Sequence, residues 1–280
     1  MEVKEGFFRG MNEARLFYQS FIPETSPEGA VIVVHGLGDH SGGMLNLCNK
    51  LADASLIVYA FDLRGHGKSS GTRGYIRKWN EYIEDLHAFR NKVINEIPEL
   101  PLYIVSHSLG GVIALDYSLH YSHGISGLIA IAPAISYETK WSEKLLIQLM
   151  GRFKPDYVIE EPGNLDLLTQ DQTEQSRLES DELRHNMVTP GLGRGLLQTI
   201  PRLMNKAHSI QLPFLLQFGL DDEMTPPWKL REFYNSIGSE EKQKYEYDAL
   251  RHRPFDDSGR EQFFSDMTGW LERQTEKVKK

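Results

Sequence analysis

Near-continuous hydrophobic runs recur along the chain and are separated by segments with helical periodicity. The runs comprise residues 30–34, 57–61, 102–105, 128–132, 214–218 and 245–247. The helical patterns cover residues 44–54, 79–97, 109–121, 229–236 and 259–273. Runs of this kind are typical of parallel strands that are covered on both faces. Because strands and helices alternate, we predict an α/β fold built on a doubly wound, mostly parallel sheet.

Two stretches depart from this alternation. Short strand patterns at residues 3–9 and 14–22 open the chain and predict an antiparallel hairpin at one edge of the sheet. Between Ile135 and Leu212 there is no strand-like run, only helical and polar segments. Because a loop of that length is uncommon in a compact domain, we predict an inserted helical cap. The predicted boundaries are 1–136 and 209–280 for the core and 137–208 for the cap.

The composition of the 280 residues narrows the classes of partner. The formal net charge of −8 argues against nucleic acid and against strong electrostatic attraction to anionic lipid, since both need concentrated lysine and arginine. Cys48 is the only cysteine and lies in an apolar helical pattern, so we predict a core residue and no disulfide. The chain has no long apolar run typical of a secretion signal or a transmembrane helix. These observations predict a cytoplasmic protein.

A predicted strand, a sharp turn and a predicted helix meet at Ser108. The strand at residues 102–105 leads into Ser106-His107-Ser108-Leu109-Gly110-Gly111 and then into the helix. This context is typical of a nucleophile elbow, whose flanking positions must be small to keep the serine hydroxyl exposed. Ser106 departs from the G-x-S-x-G pattern, because that pattern has glycine at this position. The simpler alternative is that Ser108 only caps the helix.

A nucleophilic serine needs a general base, and the base needs a carboxylate to orient it. Around such an elbow the chain order is serine, then an acid, then histidine. The acidic residues Asp221, Asp222 and Glu223 follow the strand at residues 214–218. His252 is the only histidine after Asp222, so the order leaves one candidate for the base.

Two backbone N–H groups are needed to stabilise an oxyanion, one after the nucleophile and one from an early strand-to-helix loop. Leu109 supplies the first. The Leu37 N–H is our candidate for the second, because Gly36 and Gly38 permit the tight backbone that it requires. The alternative for this segment is a flexible glycine loop. The scattered histidines lack the spacing of metal ligands, so we expect neither a metal nor a cofactor.

The motifs taken together resemble one known branch of enzymes. They are His35-Gly-Leu-Gly-Asp-His40, Asp62-Leu-Arg-Gly-His-Gly-Lys-Ser69, Ser106-His-Ser-Leu-Gly-Gly111, Gly219-Leu-Asp-Asp222 and His252. In this order they resemble the monoacylglycerol lipase and lysophospholipase-like branch of the α/β-hydrolase superfamily. The resemblance implies that Ser108 is the nucleophile and His252 the general base. The family spacing G-x-x-D-x-x-x-P implies that Asp222 orients His252, with Asp221 as the reserve.

The resemblance also implies roles for the loop after the second buried strand. Asp62 and Arg64 are expected to hold loops near the site, and His66 is expected to be structural rather than catalytic. It further implies a small lipid-like ester as substrate, with the cap covering its fatty chain.

Within the predicted cap, one helical face is apolar. It consists of Trp141, Leu145, Leu146, Leu149, Met150 and Phe153. This stripe either packs on the core, or forms the wall of an acyl-chain tunnel or a surface that dips into lipid. We take Trp141, Leu145, Leu149 and Met150 as candidate substrate-binding residues, and peripheral membrane contact through the cap stays open. Residues 169–177 are polar and are expected to be solvated.

Four alternatives to a monoacylglycerol lipase or lysophospholipase stay open at this point. A general carboxylesterase, a thioesterase and a peptidase use the same three residues on the same fold, and fold alone does not choose among them. A catalytically silent hydrolase fold that serves as a binding module is a different class, for which Ser106 is the main support. The oligomeric state is not indicated by the sequence.

Overall fold

The computed structural model describes residues 1–136 and 141–279. Within these ranges the strands are β1 (Glu2–Arg9), β2 (Arg15–Ile22), β3 (Gly29–Val34), β4 (Leu56–Phe61), β5 (Leu102–His107), β6 (Gly127–Ile131), β7 (Ile159–Glu160), β8 (Met187–Val188), β9 (Phe214–Gly219) and β10 (Lys242–Tyr247). The helices are α1 (Leu45–Asp53), α2 (Asn80–Glu96), α3 (Leu109–Ser118), α4 (Trp141–Phe153), α5 (Gln172–Glu179), α6 (Pro190–Lys206), α7 (Pro227–Ser236) and α8 (Arg260–Lys279).

Eight strands form one sheet in the order β1-β2-β4-β3-β5-β6-β9-β10. Neighbouring strands among β4, β3, β5, β6, β9 and β10 pair in parallel. In contrast, β1 and β2 form an antiparallel hairpin at the edge of the sheet. The predicted sheet and its edge hairpin are therefore confirmed. Every residue of β3, β4, β5, β6 and β9 is buried, which explains why their hydrophobic runs are nearly continuous.

The two faces of the sheet pack against different helices. In β3, for example, Ala30, Ile32 and Val34 contribute to one hydrophobic cluster, which also contains residues of α2, α3, α6 and α7. The alternating residues Val31 and Val33 contribute to the other cluster, with residues of α1 and α8. Cys48 lies in this second cluster and is fully buried, as predicted. The sheet thus has a core on each side, and its carboxyl-terminal edge is left for a site.

The segment between β6 and β9, described from residue 141 to residue 208, is called the cap below. The predicted start of the cap at residue 137 lies outside the described residues. The cap contains α4, α5 and α6, but the prediction that it has no strand is wrong. Ile159 pairs with Val188, and Glu160 pairs with Met187, in a small antiparallel ladder. Two residues per strand are too few to produce an alternating pattern, so the sequence gives no signal for them.

The polar stretch at residues 169–177 is solvated only in part, because several of its residues are exposed as predicted and two are buried. Thr169 is fully buried and its hydroxyl donates to the Asp256 carbonyl oxygen over 2.9 Å. Glu174 is also buried, and it accepts hydrogen bonds from Arg177 at 2.6 Å and Arg260 at 3.2 Å. Polar composition indicated exposure, but these groups are satisfied by partners in the core and in the cap. The stretch therefore anchors the cap to the core.

The described helices include none that is both long enough and apolar enough to cross a membrane.

Candidate active site

Ser108 sits in a strained turn between β5 and α3. Its backbone has φ 52° and ψ −117°, a conformation that residues with a side chain rarely adopt. The glycines that follow are required by close contacts. A Cβ at Gly110 would lie 2.3 Å from the Val34 carbonyl oxygen, and one at Gly111 would lie 2.6 Å from the Cβ of Pro133. The turn therefore holds Ser108 in one position at the end of the sheet.

Ser106, which stands where the G-x-S-x-G pattern has glycine, fits the elbow without distortion. Its side chain is fully buried in β5, and its hydroxyl donates a 3.0 Å hydrogen bond to the Ile129 carbonyl oxygen of β6. A buried hydroxyl with a partner costs little. The departure from the pattern is thus no sign of a relaxed elbow.

Ser108, His252 and Asp222 form a continuous hydrogen-bonded chain. The Ser108 hydroxyl lies 2.9 Å from His252 Nε2, and His252 Nδ1 lies 2.9 Å from Asp222 Oδ2. The carboxylate of Asp222 also accepts from the N–H groups of Met224 at 2.8 Å and Thr225 at 2.9 Å. Burial alone would raise the pKa of Asp222, but His252 and Thr225 outweigh it and lower that pKa. Asp222 is therefore ionised and holds the Nδ1–H of His252, which leaves Nε2 free to accept from Ser108.

Asp221, the reserve candidate, is not part of this hydrogen-bonded chain. It is exposed, whereas Asp222 is only 3% exposed. The Asp221 N–H donates a 3.1 Å hydrogen bond to the Leu250 carbonyl oxygen, just before His252. A Cβ at Gly219 would lie 1.9 Å from that same oxygen, so only glycine allows β9 to approach the histidine loop this closely. The structure therefore brings Asp222, and not Asp221, next to His252.

The two predicted oxyanion donors lie on the same cavity as Ser108 and His252. Leu109 is the first residue of α3, so its N–H has no acceptor within the helix. Within the described part of the chain, neither the Leu109 N–H nor the Leu37 N–H donates a hydrogen bond. Gly36 lies against the nucleophile, because a Cβ there would be 3.1 Å from the Cβ of Ser108. The two N–H groups are thus available to a ligand.

His35 and Asp62 shape the loop that carries Leu37. The Leu63 N–H donates to His35 Nε2 over 2.9 Å, so the other ring nitrogen carries the proton and donates to the Gly36 carbonyl oxygen over 2.7 Å. Burial lowers the pKa of His35, which keeps the ring neutral. The carboxylate of Asp62 accepts from the Ser41 N–H over 2.7 Å. These contacts join the loop after β3 to the loop after β4.

The loop after β4 is itself held by Arg64 and Asp62. Arg64 donates to Asp85 over 2.7 Å, and Asp62 accepts from the Lys68 N–H over 2.7 Å. His66 is fully buried and contacts the Arg64 carbonyl oxygen at 3.0 Å, and burial places its pKa well below the usual value. This ring is 5.3 Å from His35 and does not line the cavity.

Two residues beside the predicted site also bear on it and were not predicted. His107 donates from Nε2 to the His252 carbonyl oxygen over 2.9 Å, and its ring packs 4.8 Å from the His252 ring. Burial places the pKa of His107 well below its usual value, so the ring is neutral. Arg253 is fully buried and donates to Asp256 and to Asp39. The only sequence signal was the i, i+3 spacing of Arg253 and Asp256.

A cavity of about 630 Å³ extends from Ser108 into the cap. Much of its lining is apolar and comes from α4, α6 and the segment before α5. These side chains include Leu146, Ile147, Met150, Leu165, Leu167, Leu168, Leu192 and Leu196. Such a lining fits a hydrocarbon chain.

Of the four candidate substrate-binding residues, only Met150 lines this cavity. Trp141, Leu145 and Leu149 do not, and they are 78%, 49% and 50% exposed, respectively. These three residues therefore lie outside the cavity, on the exposed side of α4. Apolar side chains cover a broad arc of α4, and helical periodicity alone does not show which part of that arc faces the cavity.

A serine hydroxyl in a strand–turn–helix elbow, hydrogen-bonded to a histidine and a buried aspartate on a parallel sheet, defines an α/β-hydrolase. The model of the family described as serine aminopeptidase, S33, matches residues 25–259. The chain belongs to this hydrolase family.

Individual relatives point to one branch. A monoacylglycerol lipase of Mycolicibacterium smegmatis is 27% identical over 270 residues, covering 95% of this chain and 96% of the relative. A monoglyceride lipase of Rattus norvegicus is 28% identical over 85% of this chain and 79% of its own length. The crystal structure of the Paleococcus ferrophilus monoacylglycerol lipase has a TM-score of 0.82 at 29% identity, covering 98% of this chain and 100% of that one. The predicted resemblance to this branch is confirmed.

Proposed function

We propose that the protein is a serine hydrolase that cleaves monoacylglycerols through an acyl-enzyme. The observation that carries this proposal is the hydrogen-bonded chain from Ser108 through His252 to Asp222, whose first two residues line a largely apolar cavity. The relatives named as monoacylglycerol and monoglyceride lipases support the ester as the bond cleaved.

In the first half-reaction Ser108 Oγ attacks the ester carbonyl carbon while His252 Nε2 accepts the hydroxyl proton. The carbonyl oxygen becomes an oxyanion, which the N–H groups of Leu37 and Leu109 stabilise. Collapse of this intermediate breaks the ester C–O bond, and His252 gives the proton to the departing alcohol. In the second half-reaction water attacks the acyl-enzyme by the same route and releases the carboxylic acid.

The charges around the cavity favour a neutral alcohol over a phosphate-bearing one. Its charged lining residues are Asp39, Glu161, Glu223, Arg184 and Arg253, which are three acids and two bases. Both arginines already pair with Asp39. A phosphate would therefore meet no uncommitted cation among these groups, and a glycerol group needs none. We infer that monoacylglycerols are preferred to lysophospholipids.

A substrate panel tests the proposal. The kcat/KM of the purified protein is expected to be at least about tenfold higher for monooleoylglycerol than for lysophosphatidylcholine of the same acyl chain. Short aryl esters and aminoacyl amides complete the panel. Equal turnover of the lysophospholipid would overturn the preference for a neutral alcohol. Equal or better turnover of the amides would overturn the ester assignment in favour of the aminopeptidase activity that the family description names.

The outer side of α4 is a second feature that supports a lipid substrate. Trp141 and Phe153 are 78% and 72% exposed, and Leu145 and Leu149 are half exposed beside them. An exposed apolar patch of this kind marks a surface that contacts another molecule or a membrane. We propose that this apolar patch inserts into the lipid phase that holds the substrate. The cytoplasmic location of the protein remains a prediction.

The variant Leu145→Asp/Leu149→Asp is expected to hydrolyse monooleoylglycerol in phosphatidylcholine vesicles about tenfold more slowly, because it buries two charges on contact with lipid. Its kcat/KM for soluble p-nitrophenyl butyrate should stay unchanged. Val278→Asp, on the exposed side of α8, is the matched control and should change neither rate. An equal loss in both assays, or no loss on vesicles, would contradict the proposed lipid contact.

A further inference from the structure

The cap contacts both loops that carry the proposed catalytic groups. We call residues 35–40 the oxyanion loop and residues 250–256 the histidine loop. The His185 N–H of the cap donates to the Gly38 carbonyl oxygen over 3.0 Å. The Arg253 N–H donates to the Leu168 carbonyl oxygen of the cap over 2.8 Å. These backbone bonds make the base of the cap part of the frame around Ser108.

The contact at Gly38 is unusually close. Gly38 has φ +72°, and a Cβ on it would lie 2.0 Å from the His185 carbonyl oxygen. Only glycine allows this approach. Since Gly38 directly follows Leu37, the cap segment that contains His185 presses against the residue next to the proposed oxyanion donor.

An ion pair reinforces the same contact. Arg184 Nη1 lies 3.1 Å from Asp39 Oδ1, and the second oxygen, Oδ2, pairs with Arg253 of the histidine loop. Each oxygen of the carboxylate thus has its own guanidinium, one from the cap and one from the core. The side chains of Asp39 and Arg253 are 2% exposed and that of Arg184 is 14% exposed, so water screens these pairs little.

The protonation states agree with this geometry. Burial alone would raise the pKa of the Asp39 carboxyl, but Arg253 and Arg184 outweigh it and hold that pKa well below its usual range. Asp39 is therefore an anion clamped between two cations. Removal of the Arg184 guanidinium would leave Arg253 to pull the Asp39 carboxylate, and the oxyanion loop with it, toward the histidine loop.

We infer that Arg184 is a positioning residue, which acts through Asp39 to aim the Leu37 N–H at the oxyanion. This inference rests on the proposed function, because it assigns Leu37 the role given there. It makes the base of the cap, from Leu168 to His185, a fixed part of the reaction site.

The variant Arg184→Gln tests the inference with p-nitrophenyl butyrate, whose short chain makes little use of the cavity. We expect kcat to fall about 10- to 100-fold, with KM changed less than about threefold. The reason is that a misdirected Leu37 N–H no longer stabilises the oxyanion, which forms only on the way through the transition state. The affinity for an alkyl trifluoromethyl ketone, whose adduct with Ser108 carries an oxyanion, should fall by a similar factor. Arg184→Lys keeps a cation near Asp39 and should recover part of both losses.

Arg194→Gln is the matched control, because this cap arginine contacts the Gly151 carbonyl oxygen of α4 and not the oxyanion loop. It should leave kcat and the ketone affinity unchanged. A rise in KM alone for Arg184→Gln, or an unchanged ketone affinity, would overturn the inference and make Arg184 a substrate contact. Arg184→Met, which keeps an unbranched and flexible side chain without its charge, decides the same question if the glutamine variant does not fold. Failure of the wild type to hydrolyse any ester would instead overturn the proposed function.

Discussion

Ser108→Ala is expected to lower kcat for ester hydrolysis by about 10⁵-fold or more and to abolish labelling by a fluorophosphonate probe. The hydroxyl of Ser108 is the group that His252 Nε2 faces at 2.9 Å, and no acyl-enzyme can form without it. The measurement is steady-state hydrolysis of p-nitrophenyl butyrate, together with mass spectrometry of the probe-treated protein.

The strained backbone at position 108 supplies an internal control. Ser108→Gly should be as inactive as Ser108→Ala, but its free energy of unfolding should be about 1 kcal/mol higher than that of the alanine variant, because glycine tolerates φ 52° without strain. Loss of activity in two folded variants of different stability then reports on the hydroxyl alone. Residual probe labelling of Ser108→Ala, or activity above about 1% of wild type, would show that the nucleophile lies elsewhere.

The elements of the core could be predicted because a strand covered on both faces has little choice of residue type. Every residue of β3 is buried, so its hydrophobic run is continuous and easily found. The position of Ser108 was equally accessible, since close contacts at Gly110 and Gly111 require the small residues that follow it. These features depend on neighbouring positions in the chain, and a sequence pattern can therefore show them.

The cap was harder to predict because its interactions are distant in sequence. Asp39 and Arg253 are 214 residues apart, and Arg184 joins them from a third segment. Charged residues without periodicity look like a solvated surface until the fold brings their partners together. The same limit explains the polar stretch at residues 169–177, which was expected to be solvated and is partly buried.

The choice between Asp221 and Asp222 could be predicted only in part. Either residue satisfied the chain order, and only the spacing of the resembling family separated them. In the structure the separation has a physical reason. In the turn after β9, the Asp221 N–H donates a hydrogen bond to the Leu250 carbonyl oxygen, and the Asp221 side chain is exposed. The next side chain is thereby directed inward to His252.

Asp222→Asn is accordingly expected to lower kcat by about 10⁴-fold, whereas Asp221→Asn should stay within about threefold of wild type. An asparagine amide does not replace the carboxylate of Asp222, because an NH₂ group facing His252 Nδ1 favours the tautomer with the proton on Nε2. In that tautomer Nε2 donates and cannot accept the proton of Ser108. The asparagine oxygen can still accept from the N–H groups of Met224 and Thr225, so the fold should be retained.

The comparison is made by steady-state kinetics on p-nitrophenyl butyrate near neutral pH, with urea unfolding of both variants as the test of integrity. The two substitutions are chemically identical and lie one residue apart, so a difference between them isolates the contact with His252. The lowered pKa of Asp222 means that the wild-type carboxylate is charged throughout this range, and the loss is therefore not a matter of pH. Equal kcat losses in both variants, or a loss confined to Asp221→Asn, would reassign the orienting acid.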